Sequence, residues 1–364
     1  MTDFLQLHLL TAYPPANLNR DDTGRPKTAI MGGVPRLRVS SQSLKRSWRE
    51  SDVFQEKLAG HMGDRTKKFG LTLRDHMIDG GMGPDDALRQ AGAIANIFGK
   101  LVSDKEQAEK PAFIEQLVFI SPQERQSALA LADEALAGKD FTAKENMPEK
   151  EAVLQRSDTA ADIAMFGRML ADDPKFNREA AVQVAHAIST HRSVPEDDYF
   201  TAVDDLTEKG EIEDLGAAHI GVREFGSGLF YLYICVDRDL LTRNLELNTD
   251  LADSALNALI EAAATVSPRG MQASFASRAR ASYIMAERGD AQPRSLAAAF
   301  LKPVADGDTM TGSIEALEDF YARLANAYGE ATGGGSEPPA VMNVLEGRGT
   351  LAEIKTYATR SIDD

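Results

Sequence analysis

The chain has 364 residues, 43% hydrophobic and 26% charged, which is enough for a sizeable core and two or three compact units. Its net charge of −16 argues against a free-standing nonspecific nucleic-acid binder, and no apolar run approaches the roughly 18 residues of a membrane span. A single cysteine, Cys235, excludes an intrachain disulfide and fits a reducing compartment, the cytoplasm.

Residues 4–10 alternate and predict a first strand; Met1-Thr2-Asp3 before them carries no leader-like charge or apolar run. Residues 12–35 are rich in Pro, Gly, Asn and Asp and predict a long loop. Arg36-Leu37-Arg38-Val39 predicts a short strand with one wet face. A helix starts at Ser40 or Ser41, where a hydroxyl caps free backbone N–H groups. Leu44 and Trp48 share its inner face, which assigns Trp48 to the core. From 54 to 175 the chain predicts mostly helices. Gly83-Pro84-Asp85-Asp86 opens one, Ser121-Pro122-Gln123-Glu124 opens another with capping-box spacing, and 160–170 holds a third.

Strand character returns at 181–188. Residues 193–216 then carry nine carboxylates against Lys209 alone. Residues 217–236, interrupted by Gly226 and Gly228, predict paired strands or a hairpin, with Cys235 as a buried small hydrophobe. Helices at 237–246 and 250–265, a strand near 282–285, a helix at 312–328 and a Gly/Pro linker at 333–339 follow. Thr350-Leu351-Ala352-Glu353, a second capping box, opens the last helix. This order suits an α+β sandwich of the ferredoxin-like or RNA-recognition-motif kind with large insertions.

The chemistry concentrates in one place. Segment 17–49 carries Arg20, Arg25, Lys27, Arg36, Arg38, Lys45, Arg46 and Arg49 against Asp21 and Asp22, a local balance of +6 in an acidic chain. Such an island reads either as a phosphate-backbone contact or as a solvated loop and helix face. No phosphate-cradling Gly-rich loop and no His-Glu-x-x-His stands in the sequence, and the six histidines lack metal-ligand spacing, so no cofactor or metal is expected. Asp21-Asp22 reads as a metal-holding or general-base pair, or as carboxylates answering nearby cations. Tyr199 and Phe200 sit in the acidic stretch, where they would either stack on bases or anchor the loop.

Several blocks occur together in one order: Leu18-Asn19-Arg20-Asp21-Asp22, Gly32-Gly33, Arg36 through Arg46, Asp162-Ile163-Ala164 with Gly167-Arg168-Met169, Ala185 through His191, Phe200 through Leu206, Ala218-His219-Ile220-Gly221 and Glu224 through Tyr231. Over about residues 3–330 the chain resembles the CasC-type backbone subunit (Cse-four/CasC family, RAMP superfamily) of the type I-E CRISPR Cascade surveillance complex. The resemblance implies an RNA-recognition-motif (ferredoxin-like) palm with an inserted helical fingers subdomain and a protruding thumb. On it the palm spans 1–54, 176–192 and, with C-terminal helices, 225–364; the fingers span 55–175 and the thumb 193–224. It implies a non-enzymatic protein that binds CRISPR RNA and lines up in several copies, a hexameric backbone, along the guide. Each copy kinks the guide and presents it for pairing with the target DNA strand, beside large, small, guide-processing and 5′-handle-binding subunits.

Carried over by position, Asn19, Arg20, Lys27, Ser40, Gln42, Lys45, Arg46 and Arg49 would contact guide phosphates, with Arg168 and Met169 bordering the groove. Phe200, Thr201, Val203, His219 and Ile220 would form the thumb wedge at the kink. Related subunits of other CRISPR types cut RNA with an aspartate, which keeps a metal-dependent ribonuclease using Asp21 or Asp22 as the alternative.

Overall fold

The structure, a computed structural model, describes residues 2–202, 219–329 and 337–360. Among these residues the strands are β1 (Phe4–Ala16), β2 (Thr28–Met31), β3 (Val34–Val39), β4 (Asp64–Thr66), β5 (Val118–Ile120), β6 (Val182–Val184), β7 (Ala187–Ser189), β8 (Glu196–Ala202), β9 (His219–Asp237), β10 (Tyr283–Gly289) and β11 (Ala340–Asn343). The chain divides into two compact units. The first comprises Met1–Val53, Val184–Cys235 and Leu259–Asp364; the second comprises Phe54–Gln183 and Val236–Ala258.

The first unit is α+β. Its main sheet runs in the order β11-β10-β1-β9-β7-β3-β2, and β8 pairs with the outer part of β9. The pairings β1–β10, β10–β11, β2–β3, β3–β7, β7–β9 and β8–β9 are antiparallel. Central β1 is buried on both sides, with Leu5, Leu7 and Leu9 on one pleat and Gln6, His8 and Leu10 on the other. Its buried polar residues Gln6 and His8 have partners. His8 bonds Tyr231 Oη and Glu287 Oε1, both at 2.8 Å, and Gln6 Oε1 accepts from Tyr233 Oη at 2.7 Å.

The predicted loop 12–35 is shorter than expected. β1 continues to Ala16, and β2 with β3 forms a hairpin across Gly32-Gly33, whose φ angles are +61° and +78°. Two consecutive positive φ angles fit a two-residue hairpin turn that follows strand twist, which is what the glycine pair permits. The expected strand 181–188 is two short ones, β6 and β7, and the expected pair within 217–236 is the single long β9, whose outer partner is β8. Gly226 does not break β9: a Cβ there would stand 2.7 Å from the Leu37 side chain, so the glycine makes room. β11, next to the expected linker, had no strand signal behind its two prolines.

The second unit is largely helical. Helices Phe69–Asp79, Pro84–Ala95 and Pro122–Leu136 pack Leu73, Met77, Ile94, Phe98, Leu131 and Phe141 into one core. The predicted capping box is formed: Ser121 Oγ accepts from Glu124 N–H, and the Glu124 carboxylate accepts from Ser121 N–H at 3.0 Å. The predicted helix 160–170 runs only over Ala161–Phe166, because Gly167 leaves helical geometry at φ +80°. This unit extends to Gln183 and takes Val236–Ala258, which the sequence reading had placed outside it. The reason is packing: Leu241 and Leu245 are fully buried, and Asn244 Nδ2 donates to Ala164 O and Glu179 O at 3.1 and 2.9 Å. Cys235 is buried, as expected. No helix among the described residues is long and apolar enough to cross a membrane.

Candidate nucleic-acid interface

The basic segment forms one wall of the first unit. Asn17, almost fully buried, ties loop 17–24 in place by donating from Nδ2 to Gly24 O and Glu224 O at 3.0 and 2.9 Å. Asn19 closes the loop from both sides: its carbonyl accepts from Lys27 N–H at 2.8 Å, and its Oδ1 accepts from Ser40 N–H at 2.9 Å. Asp21 Oδ1 accepts from Thr23 N–H and Arg25 N–H, each at 2.9 Å, and from Thr23 Oγ1 at 2.8 Å. The Thr23 hydroxyl bond, ahead of the backbone bonds, holds the Asp21 carboxyl below its ordinary pKa. Asp21 therefore builds a turn. Arg25 pairs with Glu224 at 2.5 Å.

Helix α1 (Ser41–Arg49) follows β3. Ser40 is its N-cap, 5% exposed, with Oγ accepting from Ser43 N–H. The predicted cap is formed, and a hydroxyl that accepts this N–H keeps its own hydrogen to donate. His186 supplies a second N-terminal acceptor, Nδ1 taking Ser41 N–H at 3.0 Å. Partial burial, and after it the charges of Arg38 and Lys27, lowers the His186 pKa. A lowered folded pKa means that the unfolded chain binds the proton first, so this histidine costs stability as pH falls below its unfolded value of about 6.5. Denaturant midpoints at pH 7.5 and 5.5 should accordingly fall less in His186→Ala than in the parent; equal falls would refute this role.

Leu44 and Trp48 face the core, Trp48 with no exposed surface. The polar residues of α1 separate into two adjacent stripes at helical spacing. Gln42, Lys45 and Arg49 make one. Ser43, Arg46, Ser47 and Glu50 make the other, and it faces a cavity of about 630 Å³ whose opposite wall is Asn19, Arg20 and Asp22. Burial pulls the Lys45 ammonium below its ordinary pKa. Lys27 leads from loop 17–24 into β2 and is half-buried.

Arg269 also lines this cavity, and nothing in the sequence pointed to it. Its guanidinium donates to Glu50 Oε2 at 3.0 Å and to Glu50 O, while Arg46 Nε holds Glu50 Oε1 at 2.7 Å. Glu50 is thus an internal anion shared by two arginines at the mouth of the cavity.

The other predicted residues belong to other elements. Arg168 belongs to the second unit, and the structure corrects its role. Its side chain is 1% exposed and donates to both Glu124 carboxylate oxygens at 2.7 and 2.6 Å, to Gln155 O at 2.8 Å and to Phe176 O at 3.0 Å. No donor is left on the surface for a phosphate. Met169, its neighbour, is 78% exposed. Phe200 lies on the β8–β9 hairpin opposite Gly221, where a Cβ would meet its ring at 2.3 Å, and Arg223 covers the ring at 4.4 Å. Tyr199 and Val222 face each other on the opposite face, 62% and 63% exposed. Backbone pairing joins Thr201 to Ile220 and Ala202 to His219. Val203 and the side chains of Thr201, His219 and Ile220 lie outside the described residues.

Such a chain is an α+β protein with a cation-lined groove on its sheet unit and a long two-stranded hairpin, and solved structures share the whole fold. A chain of a "CRISPR RNA-guided surveillance complex, pre-nicking" matches with TM-score 0.82 and 27% identity over 97% of this chain and 98% of that one. A chain of a "CRISPR RNA-guided surveillance complex" has the same fold, with TM-score 0.70 and 23% identity over 98% and 99% of the two chains. No curated protein sequence matches. The CT1975-like protein family matches residues 5–355, and the chain belongs to that family, the lineage of Cas backbone subunits that its sequence blocks resemble.

Proposed function

We propose that this chain binds CRISPR RNA as the backbone subunit of a type I-E Cascade complex in the cytoplasm, several copies lining the guide in a filament. The observation that carries the reading is helix α1: one polar stripe sets Arg46 across a cavity from Arg20, and the adjacent stripe carries Lys45 and Arg49, in a chain of net charge −16. Hydroxyls, amides and guanidiniums hold phosphate oxygens without choosing a base, which suits a guide of any sequence. On this reading the sheet unit is the RNA-recognition-motif-like palm, the helical unit the fingers and the β8–β9 hairpin the thumb. The exposed Tyr199/Val222 face and the Arg223-backed Phe200 supply a wedge for one unstacked base, and base pairing with target DNA reads the sequence.

Lys45→Ala with Arg46→Ala tests it. Each lost phosphate contact on a single strand removes about 0.7 from the slope of log K against log salt, so the pair should flatten guide binding by about 1.4. An unchanged slope refutes the assignment. Phe200→Ala should leave the thermal midpoint in place and blur the periodic nuclease protection of the guide in the assembled complex; intact periodicity would remove the wedge role.

The protein is read as non-enzymatic. Support comes from Asp21, whose Oδ1 is committed to three hydrogen bonds within its own turn. Complementary RNA incubated with the complex and Mg²⁺ should stay intact; periodic cleavage abolished by Asp22→Asn would overturn this.

A further inference from the structure

The segment 266–282, between helix Thr249–Thr265 and β10, lies outside the predicted interface, yet its backbone is held in a costly shape. Met271 and Ala276 flank the short helix Gln272–Phe275 with φ of 44° and 50°, left-handed values that side chains resist. Such conformations persist where the surroundings over-determine them, and they gather at binding sites. Two contacts do this. Gly270 packs against loop 17–24 so closely that a Cβ would stand 2.2 Å from Leu18 O, and Arg269 is tied to Glu50.

Arg269 is thereby placed between two cavities. One is the groove already described; the other, about 750 Å³, is lined by Arg269, Arg278 and Arg280, with Asp52 the only carboxylate in its lining among the described residues. Arg278 and Arg280 are both exposed. Among the described residues neither guanidinium has a hydrogen-bond or ion-pair partner, whereas Arg46 and Arg269 share Glu50. Two unpartnered guanidiniums facing one cavity in an acidic protein hold donors arranged in a planar fork, the geometry that takes two oxygens of one phosphate.

We propose that this second cavity is a phosphodiester site that continues the α1 groove through Arg269 and takes a sugar–phosphate segment on Arg278 and Arg280. It rests on the guide-binding reading above and adds to it a contact outside the α1 wall. The strand is the guide or the target paired to it; the chemistry is shared, and the experiment separates the two.

Arg278→Ala with Arg280→Ala, and separately Arg278→Lys with Arg280→Lys, would be made in the full chain and co-assembled with guide and partner subunits. Salt dependence is read in two arms, labelled guide RNA binding to the full chain and labelled target DNA binding to the assembled complex. The alanine pair should lower the slope by about 1.4 in one arm, and the lysine pair, keeping the charge, should restore it. A loss in the guide arm names the guide as occupant, and a loss in the target arm alone names the target strand. Unchanged slopes in both arms overturn the site. Lys45→Ala with Arg46→Ala, run in parallel, separates the failures: if it loses slope while the Arg278/Arg280 pair does not, only the second site falls, and if neither loses slope, the guide-binding reading falls with it.

Discussion

Arg168→Ala should lower the thermal midpoint by roughly 10 °C while leaving the salt slope of guide binding unchanged, since the loss of a buried ion-pair partner costs about 3–5 kcal/mol. The cost comes from what remains. Glu124 is fully buried, and among the described residues it accepts, besides Arg168, only from backbone N–H groups, Ser121 at 3.0 Å and Gln155 at 2.8 Å. Removing the guanidinium also strips Gln155 O and Phe176 O of a donor. A second pair lies beside it: Arg178 holds Asp158 through two bonds of 2.6 and 2.5 Å, and the two arginines are joined by a backbone bridge. Burial pushes the Asp158 carboxyl up, but the bonds and charge of Arg178 outweigh it, so its pKa ends below the ordinary value. Arg168→Lys should recover little, because an ammonium cannot reproduce the forked contact. An unshifted midpoint, or a flattened salt slope in a folded Arg168→Ala protein, would return Arg168 to the RNA groove.

That correction shows where sequence reasoning stopped. Helix α1 was legible because its cap, its two core residues four apart and its cations all lie within ten positions, the range over which periodicity speaks. Arg168 was carried by a motif, and the motif is silent about a glutamate 44 residues earlier that is buried with it. Arg269 reaches Glu50 across 219 residues, so no local pattern could place it in the groove. The β2–β3 hairpin was missed for the opposite reason. Composition over 12–35 spoke for a loop, and only the turn requirement of Gly32-Gly33 spoke against it. The hairpin that carries Phe200 was half legible: β9 was read as strand, but β8 is so acidic that charge masked its alternation. Pleat and register then decide what composition cannot, setting Tyr199 with Val222 on one face and Phe200 with Gly221 on the other.

Gly270→Val should cost the guide-binding groove more than any single cation substitution, with an expected loss of at least tenfold in guide affinity. The new Cβ would lie 2.2 Å from Leu18 O and 2.7 Å from Asn17 O, and both are backbone atoms that cannot rotate aside. Loop 17–24 is anchored by Asn17 to two carbonyls, so the strain falls on segment 266–282, which already holds two left-handed residues. Overpacking of this kind costs typically 1–3 kcal/mol, and here the relief lies in parting the two loops. Parting them draws Arg269 from Glu50, separates Arg20 from Arg269 across the cavity and spoils the shape of both basic walls together. The effect should therefore exceed that of removing one charge, which affects one phosphate contact. Gly83→Ala serves as the control, because a Cβ there meets nothing within 4 Å and the residue caps a helix in the other unit. Titration of labelled guide at fixed salt separates the two variants. If Gly270→Val binds like Gly83→Ala, the groove does not depend on segment 266–282, and both the wall assigned to Arg269 and the site beyond it lose their structural basis.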